Sequence, residues 1–144
     1  MRVRVAARIN IDRPPEEVFA LVTDVGHQPD WSAAVEKVTD LTDQPPRLGS
    51  SWTQVTSLLG HRVEARARVV GLEQDRQFAY RIDRPAPVQM TWYLDATSTG
   101  THVEVVAEGE AGLFAALVRP MLGRLKEALD ADLARLKERL ERAQ

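Results

Sequence analysis

Apolar and polar residues alternate from the start of the chain, with Val3, Val5, Ala7, Ile9 and Ile11 on one side and Arg2, Arg4, Arg8 and Asn10 on the other. A period of two predicts a strand with one buried face. The alternation stops at Asp12-Arg13-Pro14-Pro15. A helix opens there, because proline suits a first turn and Glu16 and Glu17 favour the positive helix end. Val18, Phe19, Leu21 and Val22 form its apolar stripe. The turn-rich stretch from Asp24 to Ser32 follows, with room for a second short helix.

From Val35 onward strand follows strand, and the turns between them fix the register. A turn centred on Leu59-Gly60 sets Thr56 against Val63, Gln54 against Ala65 and Trp52 against Ala67. A turn over Glu73 to Arg76 sets Gly71, Val69 and Ala67 against Phe78, Tyr80 and Ile82. Pro85-Ala86-Pro87 sets Ile82, Tyr80 and Phe78 against Val88, Met90 and Trp92. Thr97 to Gly100 then brings Trp92 and Met90 opposite Val105 and Ala107. Opposed residues share a face, and each of these turns assigns the apolar set to the same one. The other face carries Arg62, Glu64, Arg66, Arg68, Gln77, Arg81, Gln89, His102, Glu104 and Glu108, a solvent surface.

After Gly112 the period becomes helical, with Phe114, Leu117, Val118, Met121, Leu122, Leu125, Leu129, Leu133, Leu136 and Leu140 recurring every three or four residues. Arg124, Glu127, Asp130, Arg135, Glu138 and Arg142 hold the opposite side. Pro120 removes one backbone hydrogen bond and is expected to kink this run or to start its main part. One strand, a helical connection, about six more strands and one long helix predict an α+β domain. Its expected form is a helix grip, a curved antiparallel sheet of about seven strands wrapped around the C-terminal helix. No repeat, linker or low-complexity tract divides the chain, so residues 1–144 read as one domain.

Composition narrows the function classes. A chain of 144 residues can bury one real core. A formal net charge of -2 gives no electrostatic reason to expect nucleic acid or an anionic membrane as partner. With no cysteine, disulfides, thiolate metal sites and a cysteine nucleophile are excluded. The alternating start lacks a signal-peptide core, and no stretch reaches the roughly 18 apolar residues of a membrane span. The expected location is the cytoplasm.

The strand ending Ile9-Asn10-Ile11-Asp12, the block Pro14-Pro15-Glu16-Glu17-Val18-Phe19, then Asp24 and Trp31, recur in a recognisable order. Gly49-Ser50-Ser51-Trp52 opening a strand and the leucine-rich helix after Phe114 continue it. In these features the chain resembles the START-like (SRPBCC, helix-grip) superfamily, and within it the polyketide cyclase/dehydrase family. The resemblance implies a cavity between sheet and helix for a sterol, lipid, quinone or polyketide. It implies no shared catalytic set, since members use one scaffold for many tasks.

A guest would sit on the concave face. Ala65 and Ala67 are small residues in mid-strand that leave volume beneath the helix. Trp52, Phe78, Tyr80, Met90 and Trp92 are expected around them, with Phe114, Met121, Leu122 and Leu125 descending from the helix and Trp31 at a junction. The same side chains could close up as plain core. Gln54, Thr56 and the Tyr80 hydroxyl are the clear polar candidates on this face, and pocket walls need few such groups. Each could equally bond a neighbour. No Asp, Glu, His or Lys of the strands points inward in this register, so no general base is evident; Tyr80 and Gln54 are the weak catalytic candidates. His27, His61 and His102 fall in a loop, a turn and the outer face, and no metal or cofactor is expected. Asp24 and Asp30 could crowd one end of the cavity or cap helical turns.

Three functions remain open. The first is a carrier or binding protein for a small apolar molecule, and the second a cyclase or aromatase using the same cavity. The third is an interaction module, a homodimer paired through leucines of the terminal helix between Asp130 and Gln144.

Overall fold

The computed structural model describes residues 2–58, 61–84, 86–110 and 115–142. The first strand, β1 (Arg2–Ile11), leads to α1 (Pro15–Val22) and a 3-10 helix (Val25–Asp30). Six strands follow: β2 (Val35–Thr39), β3 (Ser51–Leu58), β4 (His61–Glu73), β5 (Gln77–Ile82), β6 (Val88–Ala96) and β7 (Thr101–Glu110). The long helix α2 (Ala115–Arg142) closes the chain. The strands form one antiparallel sheet in the order β1-β7-β6-β5-β4-β3-β2. Consecutive strands from β2 to β7 are neighbours, and only β1 crosses over to pair with the last strand. The curved sheet wraps α2, the helix grip that the pattern predicts.

The register follows the turn-based reading over most of the sheet. Trp52 pairs with Ala67, Gln54 with Ala65, Tyr80 with Met90, Phe78 with Trp92, and Met90 with Ala107. One pairing differs. Val70 is bulged out of β4, so Gly71 pairs with Ala79, and Leu72 instead of Gly71 faces Phe78. An extra residue on one strand flips the faces beyond it, which a strict two-residue period cannot register. The crossover at β1 needs glycine at 100, because a Cβ there would sit 2.1 Å from the Ile11 carbonyl oxygen.

Pro120 lies inside α2, which runs through it without a break in its helical span. The helix is anchored at its far end. Leu129, Leu133, Leu136 and Leu140 are buried, whereas Met121, Leu122 and Leu125 are half-buried. The Asp12 amide donates to Glu141 Oε2 (2.9 Å), Arg13 Nε donates to the Leu140 carbonyl (3.1 Å), and Lys137 Nζ donates to the Asn10 carbonyl (2.9 Å). The leucines of the last turns are thus covered by the chain's own sheet. Among the described residues, the leucines through which two copies could have paired are therefore not exposed.

Candidate functional site

Between the inner face of the sheet and α2 lies a cavity of about 300 Å³. Its floor is Gln54 and Thr56 of β3, Ala65 of β4, Tyr80 of β5, Met90 and Trp92 of β6, and Ala107 of β7. Leu125, Ala128, Leu129 and Asp132 of α2 form the roof, and Gln28, Trp31, Ser32 and Val35 close one end. Small residues border the hollow. Ala65 and Ala107 on the sheet, with Ala128 above, leave space that interiors ordinarily fill to crystal-like density. A second hollow of about 190 Å³ adjoins it, sharing Val88, Ala107 and Leu125 and adding Val3, Val5 and Leu122.

The structure separates the expected lining into two groups. Trp31, Gln54, Thr56, Ala65, Tyr80, Met90, Trp92 and Leu125 border the cavity. Trp52, Ala67 and Phe78 stand behind it as core: Trp52 stacks on Phe78 at 6.5 Å and meets Tyr80 edge-on at 5.2 Å. Ala67, paired with Trp52, is fully covered in that cluster. Leu122 borders the neighbouring hollow, Met121 borders neither, and Phe114 lies outside the described residues. Trp31 meets Trp92 edge-to-face at 5.7 Å.

Of the two fates open to the inward polar groups, Gln54 and Thr56 take the bond to a neighbour. Trp52 Nε1 donates to Gln54 Oε1, and Gln54 Nε2 donates to Thr56 Oγ1, both at 3.0 Å. Gln54 is therefore engaged on both ends of its amide. Burial pushes the Tyr80 phenol further above neutrality, to about 12, with a Gln28 side-chain hydrogen bond opposing and the Asp132 charge adding to the rise.

Three further polar wall residues escaped the sequence reading. Asp132 is buried, and its carboxylate accepts from Ser32 Oγ (2.6 Å), the Ala33 amide (3.1 Å) and Arg135 Nη1 (2.9 Å). Ser32 Oγ in turn accepts from the Val35 amide at 3.2 Å. Gln28 is buried with its Oε1 unpartnered, and Trp31 Nε1 is likewise unpartnered. Asp132 was legible in principle, since it falls on the same stripe as Leu125, Leu129 and Leu136. Gln28 and Ser32 sit in a stretch without periodicity and gave no such signal.

Asp24 and Asp30 do not border the cavity. Asp24 binds His27 Nδ1 (2.9 Å) and accepts from Gln44 Nε2 (3.3 Å), and Asp30 pairs with Arg139 at 3.5 Å. His102 meets Asn10 on the outer face at 2.8 Å. Among the described residues no cluster of His, Asp and Glu could hold a metal ion, and no helix is long and apolar enough to cross a membrane.

A curved sheet gripping one long helix over an apolar hollow defines a START-like helix-grip domain. The profile of the family described as polyketide cyclase / dehydrase and lipid transport matches residues 2–141, and the chain belongs to that family. The fold is shared with several solved structures. The Zhui aromatase/cyclase from Streptomyces sp. R1128 superposes with a TM-score of 0.82 at 18% identity, over 99% of this chain and 95% of that one. Protein TTHA0849 from Thermus thermophilus gives 0.79 at 19% identity, covering 99% of each chain. A START superfamily protein from Mycobacterium smegmatis gives 0.78 at 15% identity, over 98% of this chain and 99% of that one. A search of curated proteins finds no match to this sequence.

Proposed function

We propose that this protein binds a small, largely apolar molecule in the cavity between sheet and α2, as a carrier or binding protein. The observation behind this reading is the hollow of about 300 Å³ itself, walled by Trp31, Met90, Trp92, Ala65, Ala107 and Leu125. A guest of two fused rings burying about 300 Å² gains roughly 7 kcal/mol from the hydrophobic effect. Association costs of several kcal/mol bring that to a modest affinity unless polar contacts add to it. Such a site suits a transient carrier.

The test is to fill the space. Ala65→Trp is expected to abolish binding of naphthalene to the folded protein, followed by chemical-shift changes at the Trp92 indole. Unchanged binding would remove the cavity as the site.

A second reading, cyclisation of a polyketide-like chain in the same space, draws on the family description and on the protonated Tyr80 hydroxyl in the wall. Holding a reactive chain folded in a dry pocket can itself accelerate ring closure. Tyr80→Phe would then lower turnover in a cyclisation assay while naphthalene binding stays unchanged; no loss of turnover would remove this mechanism. The Asp132 carboxylate already accepts three hydrogen bonds from the protein, which disfavours it as a general base and makes binding the better-supported reading.

A further inference from the structure

Among the described residues, one formal charge borders the cavity, that of Asp132. Its partner Arg135, about one turn further along α2, borders an outer groove with Asp30, Trp31, Glu138, Arg139 and Arg142. The ion pair is thus oriented, with its negative end toward the cavity and its positive end toward solvent. Beside it is Gln28, 6% exposed, whose Oε1 has no hydrogen-bond partner. A buried acceptor left unmatched is unfavourable, and native interiors rarely retain one. Tyr80 completes this end with a hydroxyl that can both donate and accept. The rest of the floor and roof is apolar apart from Gln54 and Thr56, which bond each other.

Two acceptors, one hydroxyl and the unpartnered Trp31 Nε1 donor call for a guest group that both donates and accepts. A carboxylate has no proton to donate, and would be a desolvated anion with no cation among the described lining residues. An ammonium would donate, but Arg135 already neutralises Asp132, so the ammonium would be an uncompensated charge against apolar walls. A hydroxyl donates to Gln28 or Asp132, accepts from Tyr80 and carries no charge.

We propose that the guest is an uncharged apolar molecule with one hydroxyl at the end facing Gln28, Tyr80 and Asp132, and that the cavity rejects guests ending in a free carboxylate. The proposal rests on the cavity being a binding site.

Naphthol, naphthalene and naphthoate share one ring system and differ at that end alone. Titrated into the full chain at neutral pH, naphthol is expected to bind at least about tenfold tighter than naphthoate, and measurably tighter than naphthalene. Gln28→Leu should bring naphthol down to within about twofold of naphthalene, and Asp132→Asn should strengthen naphthoate by about tenfold. If Asp132→Asn does not fold, the wild-type comparison and Gln28→Leu still decide. Naphthoate matching naphthol in the wild type would overturn the proposal, as would naphthol binding no better than naphthalene; both leave an apolar site in place. Failure of all three to bind removes the cavity reading, and this proposal with it.

Discussion

Ala65, Ala107 and Ala128 stand where bulkier side chains would close the space beneath α2, and the surrounding aromatics cannot collapse into it because they hold one another. Away from the cavity, the exposed His27 illustrates how local geometry sets charge. The Asp24 carboxylate, through its hydrogen bond first and its charge second, raises the histidine above its ordinary value of 6.5. A raised folded value means that the contact stabilises the protein below the ordinary value and is lost as pH rises through the raised one. NMR titration should therefore place the His27 midpoint above that of an unstructured histidine, and Asp24→Asn should return it. A midpoint unmoved by Asp24→Asn would show the contact to be absent in solution. Residue by residue, the sequence was informative where periodicity held. The inward positions of Trp92, Met90, Tyr80 and Ala65 followed from alternation and turn spacing. Which of the inward aromatics line space and which fill it did not follow, because that depends on curvature and on the helix above. Trp52 and Trp92 look alike in one dimension and differ in three.

At the level of elements, β4 shows what pattern reading misses. Its seven residues from Ala67 to Glu73 lie against the six of β5, and the extra one is Val70, whose bulge leaves no mark in the string of residue types. Gly100 does leave one, as a glycine where β7 begins. Gly100→Ala is expected to cost more than about 1 kcal/mol, since its Cβ would strike the Ile11 carbonyl and the Asp12 backbone rather than a side chain that can rotate away. Chemical denaturation measures this directly, and a neutral result would mean that the β1 corner yields easily. The two halves of α2 should also respond unequally to truncation. Leu136→Ala, at a fully covered site, should cost about 2–5 kcal/mol. Leu122→Ala, half-buried, should cost distinctly less in the same measurement, and equal losses would contradict the difference in burial.

For the whole molecule, stability depends on joining segments far apart in sequence. Ser32 and Asp132, separated by 100 residues, tie the segment closing the cavity's end to the helix that roofs it. Ser32→Ala would leave Asp132 with one donor fewer and the Val35 amide without its acceptor, a loss of about 1–3 kcal/mol. Because both residues act in one contact, Ser32→Ala and Asp132→Asn together should cost less than the sum of their separate effects, by about 0.5–3 kcal/mol in a double-mutant cycle. Strict additivity would mean that the link is not a coupled unit. The distant bonds from Asn10, Asp12 and Arg13 to Lys137, Leu140 and Glu141 do similar work at the last turns of α2. The helix is thus held firmly at its last turns, while Met121, Leu122 and Leu125 are less embedded, the latter two beside the hollow lined by Val3 and Val5. Under the proposed binding function, guest exchange should depend on how readily this less embedded part of α2 bends. Gly123 lies in it with open space around its missing Cβ. Stiffening the helix there with Gly123→Ala should slow guest release in stopped-flow displacement while leaving the equilibrium affinity nearly unchanged.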